Sequence, residues 1–337
     1  MNLLIPTSST RMSTTPKPSV SYAGCGFIGV YQIGATAALR QFAPYLLESD
    51  ILGSSSGAML CIGLAAGMSM EEIVRSTLHI ANKVSEKVLG PITPAFNLTE
   101  VFKEVWEDLL PEDIAERASG RLHISMTKLP EFSNMMVNYF TSKSDVIDAL
   151  LCTSFIPMVF GWFPPKFRGN LCIDGFYSNN QPILSKETIT VTVFAGDASI
   201  CPLDGDEASN LVNLHFPQGP DSTINVSWNN SIRMGNAVVP PPTKTMLKIC
   251  TQGFEDAIKY LCGKDLIKCA RCIDSASSRP TCGLCEVAKK ASLTKTLPEE
   301  ILKVFEEAIE KEGANERDLS SYIFKLPVSM WQAAFRL

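Results

Sequence analysis

The apolar positions fall into short runs separated by glycine-rich turns early in the chain, and into helical stripes further on. Ser19 to Ala23 reads as a short strand that delivers the chain into a turn, Gly-Cys-Gly-Phe-Ile-Gly at 24–29. Val30 to Phe42 follows with Ala35, Ala37, Ala38 and Leu39, helix formers small enough to pack closely on a sheet. Asp50-Ile51-Leu52 leads into a second tight turn, Gly-Ser-Ser-Ser-Gly at 53–57, and an apolar helix is predicted from there to about Ala66. Strand, turn and helix, repeated twice, is the alternation of a parallel sheet with helices on its faces. The uncharged stretch from Ile51 to Met70 approaches the length of a membrane span, but Ser54, Ser55, Ser56 and four glycines make it a poor one.

Downstream, Asn97-Leu-Thr-Glu100 has the form of a capping box, and Phe102, Val105, Trp106 and Leu109 supply a helical stripe behind it. Leu122 to Thr127 alternates as a strand, and Asp145 to Phe155 reads as a helix that stops before Pro157. Thr188 to Phe194 is a β-branched run, hence another strand. After about Gly263 the character changes to a cysteine-paired segment and an amphipathic helix over 298–312, with Thr296 and Glu299 as capping partners and Gly313 as its stop. The chain divides accordingly into a disordered tail over 1–18, a main domain over 19–265 and a smaller, mainly helical region over 266–337.

The 337 residues are 45% hydrophobic and 19% charged with a net charge of −5, which argues against both a disordered chain and a nucleic-acid-coating surface. Eleven cysteines, an odd count, without an apolar signal segment ahead of them fit thiols in a reducing, cytoplasmic compartment better than a secreted disulfide framework.

The segment 53–57 has the form Gly-x-Ser-x-Gly of a nucleophile elbow. Gly53 and Gly57 let the chain turn sharply while Ser55 projects from the apex, at a helix N-terminus whose dipole favours developing negative charge. The loop 24–29 also fits Gly-x-Gly-x-x-Gly, a pattern shared with dinucleotide sites. Such a site needs an acidic residue at the end of the second strand. Here Glu48 and Asp50 precede that strand, and its far end runs into the serines. Acyl transfer uses both turns, because N–H groups of Gly24, Cys25 and Gly26 beside the Ser55 hydroxyl would hold a tetrahedral oxyanion. His79, His123 and His215 stand in helical or strand patterns rather than in loops. A carboxylate is the alternative base, and Asp174 closes a strand ahead of a glycine turn, where burial would raise its basicity.

Together these pieces resemble the patatin-like phospholipase family, most closely the subgroup containing adipose triglyceride lipase and adiponutrin. The carriers are Ser-Tyr-Ala-Gly-Cys-Gly-Phe-Ile-Gly-Val-Tyr at 21–31, Gly-Ser-Ser-Ser-Gly-Ala at 53–58, Leu-Pro-Glu-Asp at 110–113 and Ser-Phe-Ile-Pro at 154–157. They continue at 164–169, 174–182, 200–204 and 252–257, collinear over about 20–265. The resemblance implies a three-layer α/β/α fold with a mostly parallel central sheet. It implies hydrolysis of triacylglycerol or related glycerolipid esters by a Ser55–Asp174 dyad, with no cofactor in the chemistry. Gly24, Cys25 and Gly26 then form the oxyanion loop, with apolar Ile28 where many members carry Arg or Lys. The partners implied are a glycerolipid substrate, a lipid-droplet or membrane surface and an activator protein, at a cytoplasmic or droplet location. Transfer of the acyl group to a lipid acceptor is an alternative outcome of the same dyad. Three departures stand out: Phe176 where Gly is common, Ser56 where Ala is usual, and an end at Leu337, before the extra segment of the longer lipases. They keep a catalytically weak, lipid-binding regulatory homologue as a further alternative.

Cys269-x-x-Cys272 and Cys282-x-x-Cys285 can each present two thiolates on a tight turn, a spacing suited to a structural zinc. Lys268, Arg271 and Lys289 would offset its charge. The helix over 298–312 is expected to pack on the main domain. The stretch from Tyr322 to Leu337, with Phe324, Trp331 and Phe335 and no acidic residue, suits an interfacial contact or a core-packed terminal helix.

Overall fold

The computed structural model describes residues 18–85, 98–157, 159–204, 215–219, 222–268, 272 and 282–313. Strand β1 (Val20–Tyr22) runs through a 3-10 turn, Gly26–Gly29, into helix α1 (Val30–Phe42). β2 (Ile51–Ser54) leads into α2 (Ser56–Ala66), so both strand-turn-helix units stand where the apolar pattern put them. α3 (Met70–Ser85) buries Ile73, Val74 and Leu78 and opens with Glu71 and Glu72, and α4 (Leu98–Leu109) carries the expected stripe. Asn97, the expected cap, lies outside the described residues. The short α5 (Ile114–Ala118) precedes β3 (Leu122–Lys128), which pairs antiparallel with β4 (Ser133–Val137).

α6 (Lys143–Thr153) starts ahead of Asp145 because a capping box forms there. Ser142 Oγ accepts the Asp145 N–H at 3.1 Å, and the Asp145 carboxylate accepts the Thr141 N–H at 3.0 Å. β5 (Lys166–Phe167) and β6 (Asn170–Asp174) form a tight hairpin. β7 (Ile189–Val191) is shorter than the β-branched run predicts. The Thr188 hydroxyl accepts the N–H groups of Leu184 and Ser185 at one end, and Thr192 Oγ1 accepts the Phe194 N–H at the other, so two threonines turn the chain instead of extending it. A separate hairpin, β8 (His215–Gly219) and β9 (Ser222–Asn225), is followed by α7 (Trp228–Val238), α8 (Thr243–Gly263), α9 (Gly283–Ser292) and α10 (Glu299–Gly313).

The main sheet has the order β5-β6-β3-β2-β1-β7, with β4 also on β3. The segment β7-β1-β2-β3 is parallel, as expected, whereas the hairpins β3–β4 and β5–β6 and the long-range pair β3–β6 are antiparallel. The sheet is therefore mixed, with helices flanking it. One detail of register governs the site. β2 and β4 both lie opposite Ile124 and Ser125, so they occupy opposite edges of β3. β4 and β6 both lie opposite Met126 to Lys128, so β6 shares the edge of β2. β2 thus arrives from one end of that edge and β6 from the other, and they meet tip to tip.

The long helix α8 packs along α1, with Tyr31 Oη donating to Asp256 Oδ2 at 3.0 Å. α10 lies on α3 and α8, burying Ile301, Val304 and Phe305. Arg75 pairs with Glu307 at 2.9 Å and Glu312 accepts the Thr243 N–H at 2.9 Å, so the amphipathic helix packs on the main body as expected. The segments 1–17 and 314–337, including the tail from Tyr322, lie outside the described residues. No helix among the described residues is long and apolar enough to cross a membrane.

Candidate active site

Ser55 sits between the end of β2 and the start of α2 with φ 52° and ψ −127°, a backbone that L residues rarely adopt. Such a conformation at a strand-to-helix apex is the elbow geometry, and neighbouring backbone enforces it. A Cβ at Gly57 would come within 2.2 Å of the Tyr22 carbonyl oxygen, so α2 can start against β1 only with glycine there. The Ser55 N–H donates to Thr153 Oγ1 at 2.9 Å, and the same threonine hydroxyl donates to the Ser125 carbonyl at 2.5 Å. Thr153 thereby ties the end of α6 to the nucleophile's backbone and to β3. Nothing in the sequence marks it, since its role depends on contacts remote along the chain.

Asp174 ends β6 opposite Met126, one residue along β3 from Ser125, the partner of Ser54. The tip-to-tip meeting of β2 and β6 therefore brings Ser55 and Asp174 together. Asp174 is 1% exposed, and burial lifts its carboxyl from the ordinary value to about 7. The Phe176 N–H, 2.8 Å from Oδ1, and the Ser55 and Ser54 hydroxyls act against that rise. Ser54 acts from nearby, since its buried hydroxyl makes no hydrogen bond of proper geometry. Phe176 does not crowd the pair: its ring is 41% exposed and packs edge-on against Tyr177, while its backbone serves the carboxylate. Of the histidines, His123 faces Asp50 at 3.5 Å near the start of β3, and His79 lies on α3. His215 is in β8.

The glycine loop touches the nucleophile directly. A Cβ at Gly24 would lie 2.9 Å from the Ser55 Cβ and 2.6 Å from Asn180 Oδ1. The three expected oxyanion donors are not equivalent, however. The Gly24 N–H donates to Asn180 Oδ1 at 2.9 Å, and Asn180 Nδ2 returns a bond to the Gly24 carbonyl at 3.1 Å. The Cys25 N–H donates to Ser56 Oγ at 3.0 Å. Those two amides are engaged within the fold. Gly26 and Phe27 open the 3-10 turn, and the first N–H groups of such a turn have no partner inside it. Burial pushes the Cys25 thiol up to about 12, so it stays protonated and does not compete with Ser55 as nucleophile.

A cavity extends from Ser55 and Ser56. Its walls come from α2, α3 and α4 and are largely apolar, with Met59, Leu60, Ile73, Ile80, Phe102 and Trp106 among them. Ser154 also lines it, and its buried hydroxyl has no protein partner among the described residues. Beside Phe160, another wall residue, Trp162 and Phe163 are 63% and 89% exposed. Ser55, Asp174 and the Gly24–Gly26 loop thus stand together, with Gly53 and Gly57 framing the elbow. Of the paired cysteines, Cys272, Cys282 and Cys285 gather at the start of α9, and Cys269 lies outside the described residues.

A family model described as patatin-like phospholipase matches residues 20–185, the stretch that carries both Ser55 and Asp174. Patatin-like phospholipase domain-containing protein 2 of Mus musculus is 35% identical over 248 residues, 73% of this chain and 50% of that protein. The human 1-acylglycerol-3-phosphate O-acyltransferase is 35% identical over 246 residues, 72% of this chain and 50% of that protein. The human omega-hydroxyceramide transacylase is 33% identical over 246 residues, covering 72% of this chain and 45% of that protein. The chain spans about half the length of the curated relatives it matches. With the matched segment holding elbow, glycine loop and aspartate in one arrangement, the chain belongs to the patatin-like phospholipase family.

Proposed function

We propose that this chain is a lipid acyl hydrolase that cleaves glycerolipid esters, triacylglycerol first among them, with a Ser55–Asp174 dyad. The observation that carries the reading is the junction of β2 and β6 on one edge of β3, where a strained serine and a buried aspartate meet at the mouth of an apolar cavity. An acyl chain fits that cavity, because its lining offers methyl, thioether and ring surface and few polar groups to desolvate.

The chemistry follows from those positions. Ser55 Oγ attacks the ester carbonyl carbon while its proton passes to Asp174, whose carboxylate has the basicity to accept it near neutral pH. The developing oxyanion is held by the Gly26 and Phe27 N–H groups and by the dipole of α2. Collapse expels the alcohol, which takes the proton back from Asp174, leaving Ser55 acylated. A water that gives its proton to Asp174 then attacks the acyl carbonyl, and release of the fatty acid restores the serine. Exposed Trp162 and Phe163 beside the cavity dock the site on a lipid surface, a droplet or membrane in the cytoplasm. An activator protein remains part of the proposal, carried by the family resemblance alone.

The test is fatty-acid release from emulsified triacylglycerol and from phospholipid by wild type, Ser55→Ala and Asp174→Asn. Release that disappears in both folded variants supports the dyad, and no release from wild type, even with an activator extract, overturns the hydrolase reading. A second reading, transfer of the acyl group to a lipid hydroxyl, is favoured by two relatives whose names describe acyltransferase and transacylase activities. It differs only in the acceptor for the acyl-enzyme. Product analysis with and without added monoacylglycerol separates the two, since transfer makes diacylglycerol at the expense of free fatty acid.

A further inference from the structure

The paired cysteines take no part in ester chemistry, yet the structure brings three of them to one point. Cys282 is the N-cap of α9, Cys285 stands in its first turn, and Cys272 reaches them from the preceding chain. Their three Sγ atoms lie within 4.8 Å of one another. The Cys282 and Cys285 sulfurs are 3.7 Å apart, far beyond the roughly 2.05 Å of a disulfide bond. Two thiolates on a zinc tetrahedron, each about 2.3 Å from the metal, are separated by about 3.8 Å. The two sulfurs already stand at that edge length.

The surroundings point the same way. The Cys282 side chain does not cap α9 and instead meets the Cys285 sulfur. Cys285 is 1% exposed, so its sulfur lies inside the cluster rather than in solvent. Sulfur ligands without carboxylates select zinc over calcium or magnesium. Apolar packing does little to hold α9, since Leu284, Val287 and Leu293 are 64%, 66% and 59% exposed. Its contacts with the end of α8 and the residues after it include the Lys289–Asp265 ion pair at 2.7 Å and a Cys262–Ser292 contact at 3.6 Å. In sequence, Cys269 precedes Cys272 at the spacing that separates Cys282 from Cys285.

We propose that Cys272, Cys282 and Cys285 bind one Zn²⁺ and that this ion clips α9 to the chain that follows α8. None of the three cysteines lines the cavity at Ser55, so the ion holds structure and stands outside the ester chemistry. The full-length chain, purified and dialysed against metal-free buffer, is expected to retain about one zinc per chain by mass spectrometry. Ser55→Ala retains it too, and the double variant Cys282→Ser/Cys285→Ser loses it. A strong chelator lowers the melting temperature of wild type and leaves that of the double variant unchanged. Should the double variant fail to fold, Co²⁺ exchange into wild type carries the test alone, with thiolate charge-transfer bands and tetrahedral d–d absorption expected. Wild type that holds neither zinc nor cobalt, a cobalt spectrum without thiolate bands, or zinc retained by the folded double variant overturns the proposal.

Discussion

The two halves of the active site are built in opposite ways. The elbow half is contiguous in sequence, β2, Ser55 and α2 in direct succession, with the Tyr22 carbonyl and Thr153 packed on it from elsewhere in the chain. The aspartate half is assembled at a distance, where a two-strand hairpin runs back along β3 until Asp174 reaches the tip of β2. A local device can be read from five residues, whereas a register is a property of the whole sheet. In the proposed dyad Ser55 is therefore the sturdier half and Asp174 the more easily displaced one.

The largest break in this comparison comes from the elbow itself. Ser55→Ala removes the bond-forming atom, and kcat on emulsified triacylglycerol is expected to fall by about 10⁴-fold or more. Asp174→Asn sharpens the contrast because it acts on stability as well. Burial raises the folded-state pKa from 3.8 to about 7, so the cost of ionising Asp174 is absent below the unfolded value. That cost grows as pH rises through this window and reaches about 4 kcal/mol above pH 7. The variant should lose activity by about 10³-fold while melting several degrees higher than wild type at pH 8, with a smaller gap at pH 5. A variant that melts lower at pH 8 would mean that the carboxylate is stabilised where it lies. For the same reason wild-type kcat should fall about tenfold per pH unit well below 7, as Asp174 takes up its proton.

Thr153 ties the Ser55 backbone to β3, so its loss loosens the elbow without removing either reactive group. Thr153→Val strands the Ser55 N–H and is expected to lower kcat by about 10- to 100-fold, while Thr153→Ser retains most of the activity. Equal effects from both variants would reduce the threonine to a packing role. Trp162→Ala/Phe163→Ala should raise the apparent KM on emulsified substrate by about tenfold and leave a soluble short-chain ester unaffected. The smallest effect belongs to Ser56→Ala, which releases the Cys25 N–H from its bond to the Ser56 hydroxyl. A two- to fivefold rise of about that size in kcat on a soluble ester is expected, and a fall would show that Ser56 holds the amide in place.

What the sequence discloses follows the same division. The two strand-turn-helix units, the elbow and the amphipathic helix over 298–312 are legible because their signals are local. Asp174 is legible through its glycine turn, but its meeting with Ser55 is not, since that depends on β6 sharing an edge with β2. α7 is silent for a different reason. Its large apolar residues Trp228 and Ile232 are exposed, and the one residue that it buries fully is polar, Asn230, held through Ala195 and Asn225. β4 is mostly exposed along its length and shows no alternation. Nothing in the glycines of the loop at 24–26 reveals that Asn180 and Ser56 engage two of its amides.

The meeting of β2 and β6 on one edge also sets the moment in the protein's life when it can first act. The nucleophile is translated well before its base. At about 5–20 residues per second, on the order of ten seconds separate the two on the ribosome. A nascent chain that has already folded its elbow still lacks a proton acceptor, and it gains one only when the hairpin β5–β6 closes on β3. The same dependence makes ester hydrolysis a report on complete assembly of the sheet, because a truncated or half-folded chain presents the serine without the group that activates it.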